Sequence, residues 1–227
     1  MAAFDFDGTL TDGGSVFPFL VSVRGRWNVL RTTARRSPQL LLAALVGGTT
    51  ADDVKERLFV RLLGGLPAVE VDRTAADFAE RHLSRKLRAQ TARRLEWHRD
   101  QGHHIVIVSA SPECYVAAAA QRLGADGAIA TRLAVDGNGL LSGGYEGKNC
   151  RGAEKLHRLM AYLEDQGLMG ADGEPPELWA YGNSRGDLRL LQAADHGVDA
   201  GKLGRLGRLR RFPRLAEVRG ESERPTG

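Results

Sequence analysis

Two carboxylates, Asp5 and Asp7, stand two residues apart in the stretch AAFDFDGTLTDGG, where a short apolar run gives way to polar and glycine residues. Residues two apart on a strand point to the same side, so this spacing can aim both acids at one spot. Their repulsion would be relieved by a bound cation, and Gly8 lets the chain turn sharply after them. A second polar group is Ser109, directly after HIVIV, where its hydroxyl and the neighbouring backbone N–H groups, that of Ala110 included, can hold the oxygens of an anion. A third is KNCRGAEK, which offers Lys148, Arg151 and Lys155; a helix starting near Gly152 would set one of them. The fourth is Gly182-Asn183-Ser184-Arg185-Gly186-Asp187, after LWAY. Two anionic or metal-binding ends, one hydroxyl and one cation are what phosphoryl transfer asks for. Singly, each has a plainer use as a turn, a cap or an ordinary hydroxyl. Their order along the chain is the more specific feature.

These groups need a frame to bring them together. Ala2 to Phe6 reads as a buried strand ending in a turn, and His104 to Val108 repeats the pattern with β-branched residues. Between them, apolar residues recur at helical spacing: Val16, Phe19, Leu20 and Val23; Val54, Leu58, Arg61 and Leu62; Val71, Ala75, Phe78 and His82. Breaks fall at Ser37-Pro38, Gly47-Gly48 and Gly64-Gly65-Leu66-Pro67, and Thr50 with Asp52 and Asp53 opens one helix with acids in its first turn. Residues 13–86 are therefore expected to form a helical insertion. After Arg88, strand and helix alternate: a helix with Leu95 and Trp97, the His104 strand, a helix over 112–123, a strand over 128–131. A hairpin follows around Asp136-Gly137-Asn138-Gly139, then a helix over 152–163, the LWAY strand, a helix over 186–193 and a last strand over 196–198. Such alternation predicts an α/β fold, a doubly wound, Rossmann-like parallel sheet covered on both faces, with ligands outside the C-terminal ends of its strands. The expected division is a core of residues 1–12 and 87–219, a helical cap of 13–86 and a frayed tail of 220–227.

The motifs in this order resemble the haloacid dehalogenase superfamily of phosphohydrolases, in particular its phosphoserine-phosphatase-like branch, subfamily IB. The resemblance runs through DFDGTLT, VIVSASPE, EGKNCRGAEK and GNSRGD, and so covers the chain from end to end. It implies that Asp5 is the nucleophile, forming an aspartyl phosphate, and that Asp7 is general acid and then base. Ser109, Ala110, Gly8 and Thr9 are implied to cradle the phosphoryl group with a lysine. Lys155 is favoured for that lysine, with Arg151 and Lys148 as alternatives. Magnesium is the implied cofactor, on Asp5, Asp7 through its backbone carbonyl, Asn183 and Asp187. Two departures carry weight. The fourth motif begins Gly182-Asn183 where the family usually has Gly-Asp, which replaces a charged ligand by a neutral amide. The glutamate that phosphoserine phosphatases carry nine residues after the nucleophile is here Gly14, and their cap arginine has no clear equivalent, although Arg57 and Arg61 lie near. Free phosphoserine is thus not the expected substrate.

The expectation is a magnesium-dependent phosphomonoesterase acting on a small phosphorylated metabolite. Its rivals are a phosphotransferase on the same site and a non-catalytic phosphate- or nucleic-acid-binding protein. Two cysteines, Cys114 and Cys150, form no disulfide framework or zinc pattern, and no secretory leader precedes Asp5, so a cytoplasmic setting is expected. The longest apolar stretch, Leu40 to Val46, is too short to span a bilayer. The net charge of +4 is concentrated in two runs, Arg24 to Arg36 and Lys202 to Arg214. Such runs could meet nucleic acid or anionic lipid, but solvated surface is their expected role, since they lack the aromatic interleaving of a single-strand binder. Surface positions are expected for His98, His103 and His104, cap-core positions for Phe17, Phe19 and Trp27, and ordinary packing for Cys114.

Overall fold

The computed structural model describes residues 1–34, 49–201 and 207–218. The run Leu40 to Val46, Arg35, Arg36, Lys202, Arg205 and the tail from Gly220 lie outside the described residues. In chain order the elements are β1 (Ala2–Phe4), α1 (Val16–Arg24), α2 (Arg26–Ala34), α3 (Thr49–Leu63), α4 (Ala68–Lys86), α5 (Ala89–Asp100), β2 (Ile105–Pro112) and α6 (Glu113–Leu123). They continue with β3 (Gly127–Thr131), β4 (Leu133–Val135), β5 (Leu141–Tyr145), α7 (Ala153–Asp165), β6 (Trp179–Gly182), α8 (Leu188–Ala193) and β7 (His196–Asp199).

The five strands β3-β2-β1-β6-β7 form one sheet in that order, with every neighbouring pair parallel. The alternation along IVIV explains why the run is apolar throughout. Ile105 and Ile107 enter one core with Phe4, Tyr115 and Tyr181, while Val106 and Val108 enter a second core with Ala3, Leu159, Leu163 and Leu190. A strand buried on both faces has no solvent side on which to place a polar residue. Full burial of each such side chain contributes roughly 1.5–3 kcal/mol. Helices α5 and α6 cover the first face and α7 and α8 the second, which is the doubly wound arrangement.

Between β1 and β2 the chain inserts α1–α4. The predicted stripe Val71, Ala75, Phe78 and His82 of α4 is buried. On α3 the phase differs: Phe59, Leu62 and Leu63 are buried, whereas Arg61, placed in the apolar series from its spacing, is exposed. The hairpin β4–β5 closes through Asp136, whose Oδ1 accepts from the N–H groups of Asn138 and Leu140, each at 2.9 Å. It is stitched to the insertion, since Ala68 N–H donates to Gly139 O and Leu141 N–H to Leu66 O, each at 2.9 Å. The helical insertion therefore includes a β-hairpin from the later half of the chain.

Three side-chain expectations need correction. Phe19 is fully buried as expected, but Phe17 is 47% and Trp27 77% exposed. His98 is buried rather than superficial, because α5 turns it toward Tyr181 beneath β6. β2 runs through Ser109 to Pro112, with a shift of register against β3 after Val108, so the serine lies within the strand and not beyond it.

Candidate active site

Asp5 follows β1 directly, and its N–H donates to Tyr181 O of the adjacent β6 at 2.9 Å. On the other side of the sheet, α7 begins after Gly152, which has φ +62° and donates its N–H to Gly186 O at 2.8 Å. That start aims Lys155, in the first turn, back at the strand ends. Its Nζ donates to Asp5 Oδ1 and to Asp187 Oδ1, both at 2.6 Å. Thr9 Oγ1 donates to Asp5 Oδ2 at 3.0 Å. Asp187 Oδ2 accepts from Asn183 N–H (3.2 Å), Ser184 N–H (3.0 Å) and Ser184 Oγ (2.8 Å). Gly182 makes this turn possible, since a Cβ there would fall 2.4 Å from the Cβ of Asp187.

Asp5, Lys155 and Asp187 are all buried, so two carboxylates share one ammonium out of water. Burial works against the Lys155 charge, but Asp187 and Asp5 outweigh it and hold the lysine above its usual value. Burial likewise opposes ionisation of Asp187, yet Lys155 and Ser184 keep that carboxyl below the usual range. The surplus falls on Asp5. Burial first, and the Asp187 charge second, push Asp5 up to about 7 despite its contact with Lys155. A group entering with positive charge would convert Asp5 to the carboxylate.

Asp7 has a separate set of partners. Its Oδ1 accepts from Ser15 N–H at 2.7 Å and its Oδ2 from Ser111 Oγ at 2.5 Å. Ser15 Oγ lies 2.7 Å from Tyr115 Oη and 3.4 Å from Ser111 Oγ, so a buried chain of hydroxyls backs this acid. β1 ends at Phe4, so both acids lie beyond the strand rather than on it; the turn at Gly8 (φ +79°) sets Asp7, and its charge still bears on Asp5. Gly8 also permits a close approach: a Cβ on it would lie 1.9 Å from Asn183 Nδ2.

Ser109 Oγ accepts from Ser111 N–H at 3.1 Å, and Ala110 O accepts from Thr131 Oγ1 at 2.7 Å. Of the three cations left open in KNCRGAEK, Lys155 is the one at Asp5. Arg151 pairs with Asp52 at 3.3 Å, and Lys148 presents its carbonyl to Arg158. Arg57 and Arg61 are exposed, and so is Gly14. Instead, Lys55 of α3 reaches the strand ends, donating to Ala110 O (2.9 Å) and Asn149 Oδ1 (2.8 Å). Burial lowers Lys55 to about 8, against the pull of Asp52. Lys55, Ser15, Ser111 and Tyr115 lie outside the residues that the sequence motifs mark; of these, only Ser111, two residues after Ser109, had a position that could have signalled it.

His98, His103 and His104 have hydrogen-bond partners away from Asp5. His98 Nδ1 lies 2.7 Å from His103 Nδ1 and its Nε2 lies 2.8 Å from Tyr181 Oη, while His104 bonds Tyr162. Among the described residues no group of three or more His, Cys, Asp or Glu side chains forms a metal cluster. Cys114 and Cys150 are free thiols, and burial pushes Cys114 up to about 12, which disfavours its thiolate.

The site thus stands on a parallel α/β sheet with a helical insertion after its first strand, with acids and a lysine gathered at its strand ends. The chain belongs to the haloacid dehalogenase-like hydrolase family, whose pattern matches residues 2–192. Among individual proteins, it is 36% identical over 198 residues to Protein CicA of Caulobacter vibrioides, a match covering 86% of this chain and 83% of CicA. A crystal structure of a protein of unknown function from Bordetella pertussis Tohama I superposes with a TM-score of 0.74 at 25% identity, covering 88% of both chains. A phosphoserine phosphatase captured as an analogue of its phospho-aspartyl intermediate shares the fold, with a TM-score of 0.59 and 20% identity over 87% of this chain and 84% of that one. So does the phosphoserine phosphatase of T. onnurineus, with a TM-score of 0.57 and 22% identity over 96% of this chain and 90% of that one.

Proposed function

We propose that this protein is a phosphomonoesterase of the phosphoserine-phosphatase-like branch, subfamily IB, acting on a small phosphorylated metabolite through an aspartyl phosphate. The observation that carries this reading is the buried Asp5–Lys155–Asp187 cluster at the C-terminal ends of β1 and β6, with both lysine contacts at 2.6 Å. In the first step an Asp5 carboxylate oxygen attacks phosphorus in line; the new O–P bond forms as the ester O–P bond breaks, and Asp7 gives its proton to the departing alkoxide. In the second, Asp7 takes a proton from water as the water oxygen attacks phosphorus, which breaks the Asp5–phosphate bond and releases inorganic phosphate. Lys155 holds Asp5 in place and offsets negative charge on the phosphoryl oxygens, and Ser109 with the Ala110 N–H receives one of those oxygens.

The donors near Asp5 fit magnesium. Asp5, Asn183, Asp187 and the Asp7 carbonyl are all oxygen ligands, and two carboxylates suffice for an ion that keeps several waters and substrate oxygens. Bound there, it would neutralise charge on the reacting phosphate. The insertion of residues 13–86 serves in this reading as the substrate-selecting cap of a core made from 1–12 and 87–219, and Gly14 in place of a glutamate sets free phosphoserine aside. Two free cysteines agree with a cytoplasmic setting. The test is hydrolysis of p-nitrophenyl phosphate by the wild-type chain and by Asp5→Asn. The wild type turns over in the presence of magnesium and the variant, folded by circular dichroism, does not; equal rates would overturn the mechanism.

A further inference from the structure

Residues 13–51 contain no aspartate or glutamate, although at the frequency of the whole chain, 28 acids in 227 residues, a stretch of this length would hold about five. The same stretch carries Arg24, Arg26, Arg31, Arg35 and Arg36, five positive charges against a net +4 for the entire protein. Between Arg26 and Arg31 stand Trp27, Val29 and Leu30, large apolar side chains that a purely solvated basic surface has no reason to carry.

Within its described part, α2 is two-sided. Val29 is fully buried, while Trp27 is 77% and Leu30 36% exposed. Arg26, Trp27, Leu30 and Arg31 are spaced at i, i+1, i+4 and i+5, so they share one side of the helix. Trp27 is the most exposed of the large apolar side chains among the described residues. The other two tryptophans, by contrast, are engaged: the Arg94 guanidinium lies 3.9 Å from the Trp97 ring centre and 4.8 Å from that of Trp179. Phe17, on the preceding helix, is a further apolar side chain in water.

Indole rings favour the boundary between water and hydrocarbon, and arginine stems lie along apolar surface while their charges stay at headgroup level. A helix with such a face lies in a membrane interface, and arginines without carboxylates add attraction to anionic lipid. No helix among the described residues is long and apolar enough to cross a membrane, so the contact would be peripheral.

We propose that the exposed side of α2, with Arg26, Trp27, Leu30 and Arg31, docks the protein on the surface of a bilayer containing anionic phospholipid. This stands independently of the catalytic reading. The full chain is sedimented with vesicles of phosphatidylcholine alone and of phosphatidylcholine mixed with phosphatidylglycerol, at low and high salt. It should pellet with the mixed vesicles, be released by salt, and show a blue shift of tryptophan emission that Trp27→Phe removes. Charge reversal at Arg26 and Arg31 should weaken partition at least fivefold for each site. Trp27→Ala should weaken it about tenfold while leaving the unfolding temperature in place, because the ring is largely exposed. Absence of binding to the mixed vesicles overturns the proposal, and so does binding that none of these substitutions weakens. Retention of a single-stranded oligonucleotide without vesicle binding would assign the surface to nucleic acid and overturn it equally.

Discussion

Ser111 is the residue whose replacement separates acid–base chemistry from mere folding. In the structure its hydroxyl donates to Asp7 Oδ2 at 2.5 Å, and Ser15 N–H is the partner of Oδ1. Ser111→Ala leaves Asp7 held by one of these two donors, free to turn away from the leaving oxygen. A hydrogen bond to a charged group contributes about 1.5–3 kcal/mol, so the step that needs a well-placed Asp7 should slow by roughly 10- to 100-fold. The loss depends on the leaving group. Nitrophenolate departs without a proton, whereas the alkoxide of an alkyl phosphate needs one, so kcat for the alkyl ester should fall about tenfold further than kcat for p-nitrophenyl phosphate. Asp7→Asn should show the same discrimination more strongly, and Tyr115→Phe, which removes the hydroxyl behind Ser15, more weakly. Rates are compared at saturating ester, with KM determined separately. A Ser111→Ala loss that is equal for both esters would refute the positioning role, and an Asp7→Asn loss without discrimination would refute the acid assignment itself.

The remaining expectations concern charge. Lys155→Met leaves Asp5 and Asp187 buried without their shared ammonium and should cost about 3–5 kcal/mol in urea unfolding, part of which returns on adding Asp187→Asn; wild-type stability in the single variant would contradict the buried pairing. Asn183→Asp adds a third carboxylate beside Asp5 and Asp187, so without metal the unfolding temperature should fall, and with magnesium it should recover and calorimetric affinity should tighten. An unaltered magnesium titration would remove Asn183 from the ligand set. His98 is held neutral, with burial first and then Arg94 and His103 lowering it to about 3. A base whose folded value lies below its unfolded one leaves stability intact above pH 6.5 and loses it as the pH falls toward 3. Asp5, raised to about 7, acts in the opposite sense over the same interval, so the check is a difference: on going from pH 7 to pH 5 the wild type should lose about 2 kcal/mol more, or gain that much less, than His98→Gln, and equal pH dependence in the two would refute the burial of a neutral His98.

Much of the core was legible because its signals are local. IVIV is apolar at every position because both faces of β2 are covered, and Val71, Ala75, Phe78 and His82 bury one stripe of one helix. The acids and the lysine were legible as residues for the same reason, since each sits at an element boundary that its own neighbours mark. What the pattern could not supply was phase. Arg61 fits the spacing of α3, yet the buried series is Phe59, Leu62 and Leu63, because the side of a helix that faces inward is chosen by what packs on it. Here that partner is partly the β4–β5 hairpin, some eighty residues further along, which no local window contains.

The same limit separates Asp5 from Asp7. Asp5 meets Lys155 because two strand ends and one helix start converge, and the α/β alternation already implies that convergence. The partners of Asp7 come from the residue before α1 and from the end of β2, brought together beside the turn at Gly8 that follows β1. Nothing in the spacing of Asp5 and Asp7 encodes that turn's direction, so the two-residue rule could not foresee that the two acids have different hydrogen-bond partners. That separation is chemically useful. A nucleophile needs a cation at its back, and an acid that must also act as a base needs hydrogen bonds that hold its position without fixing its charge. The Ser111 hydroxyl, with the Ser15 and Tyr115 hydroxyls behind it, can supply this because it donates or accepts as the proton moves, whereas a second lysine would have locked Asp7 as a carboxylate.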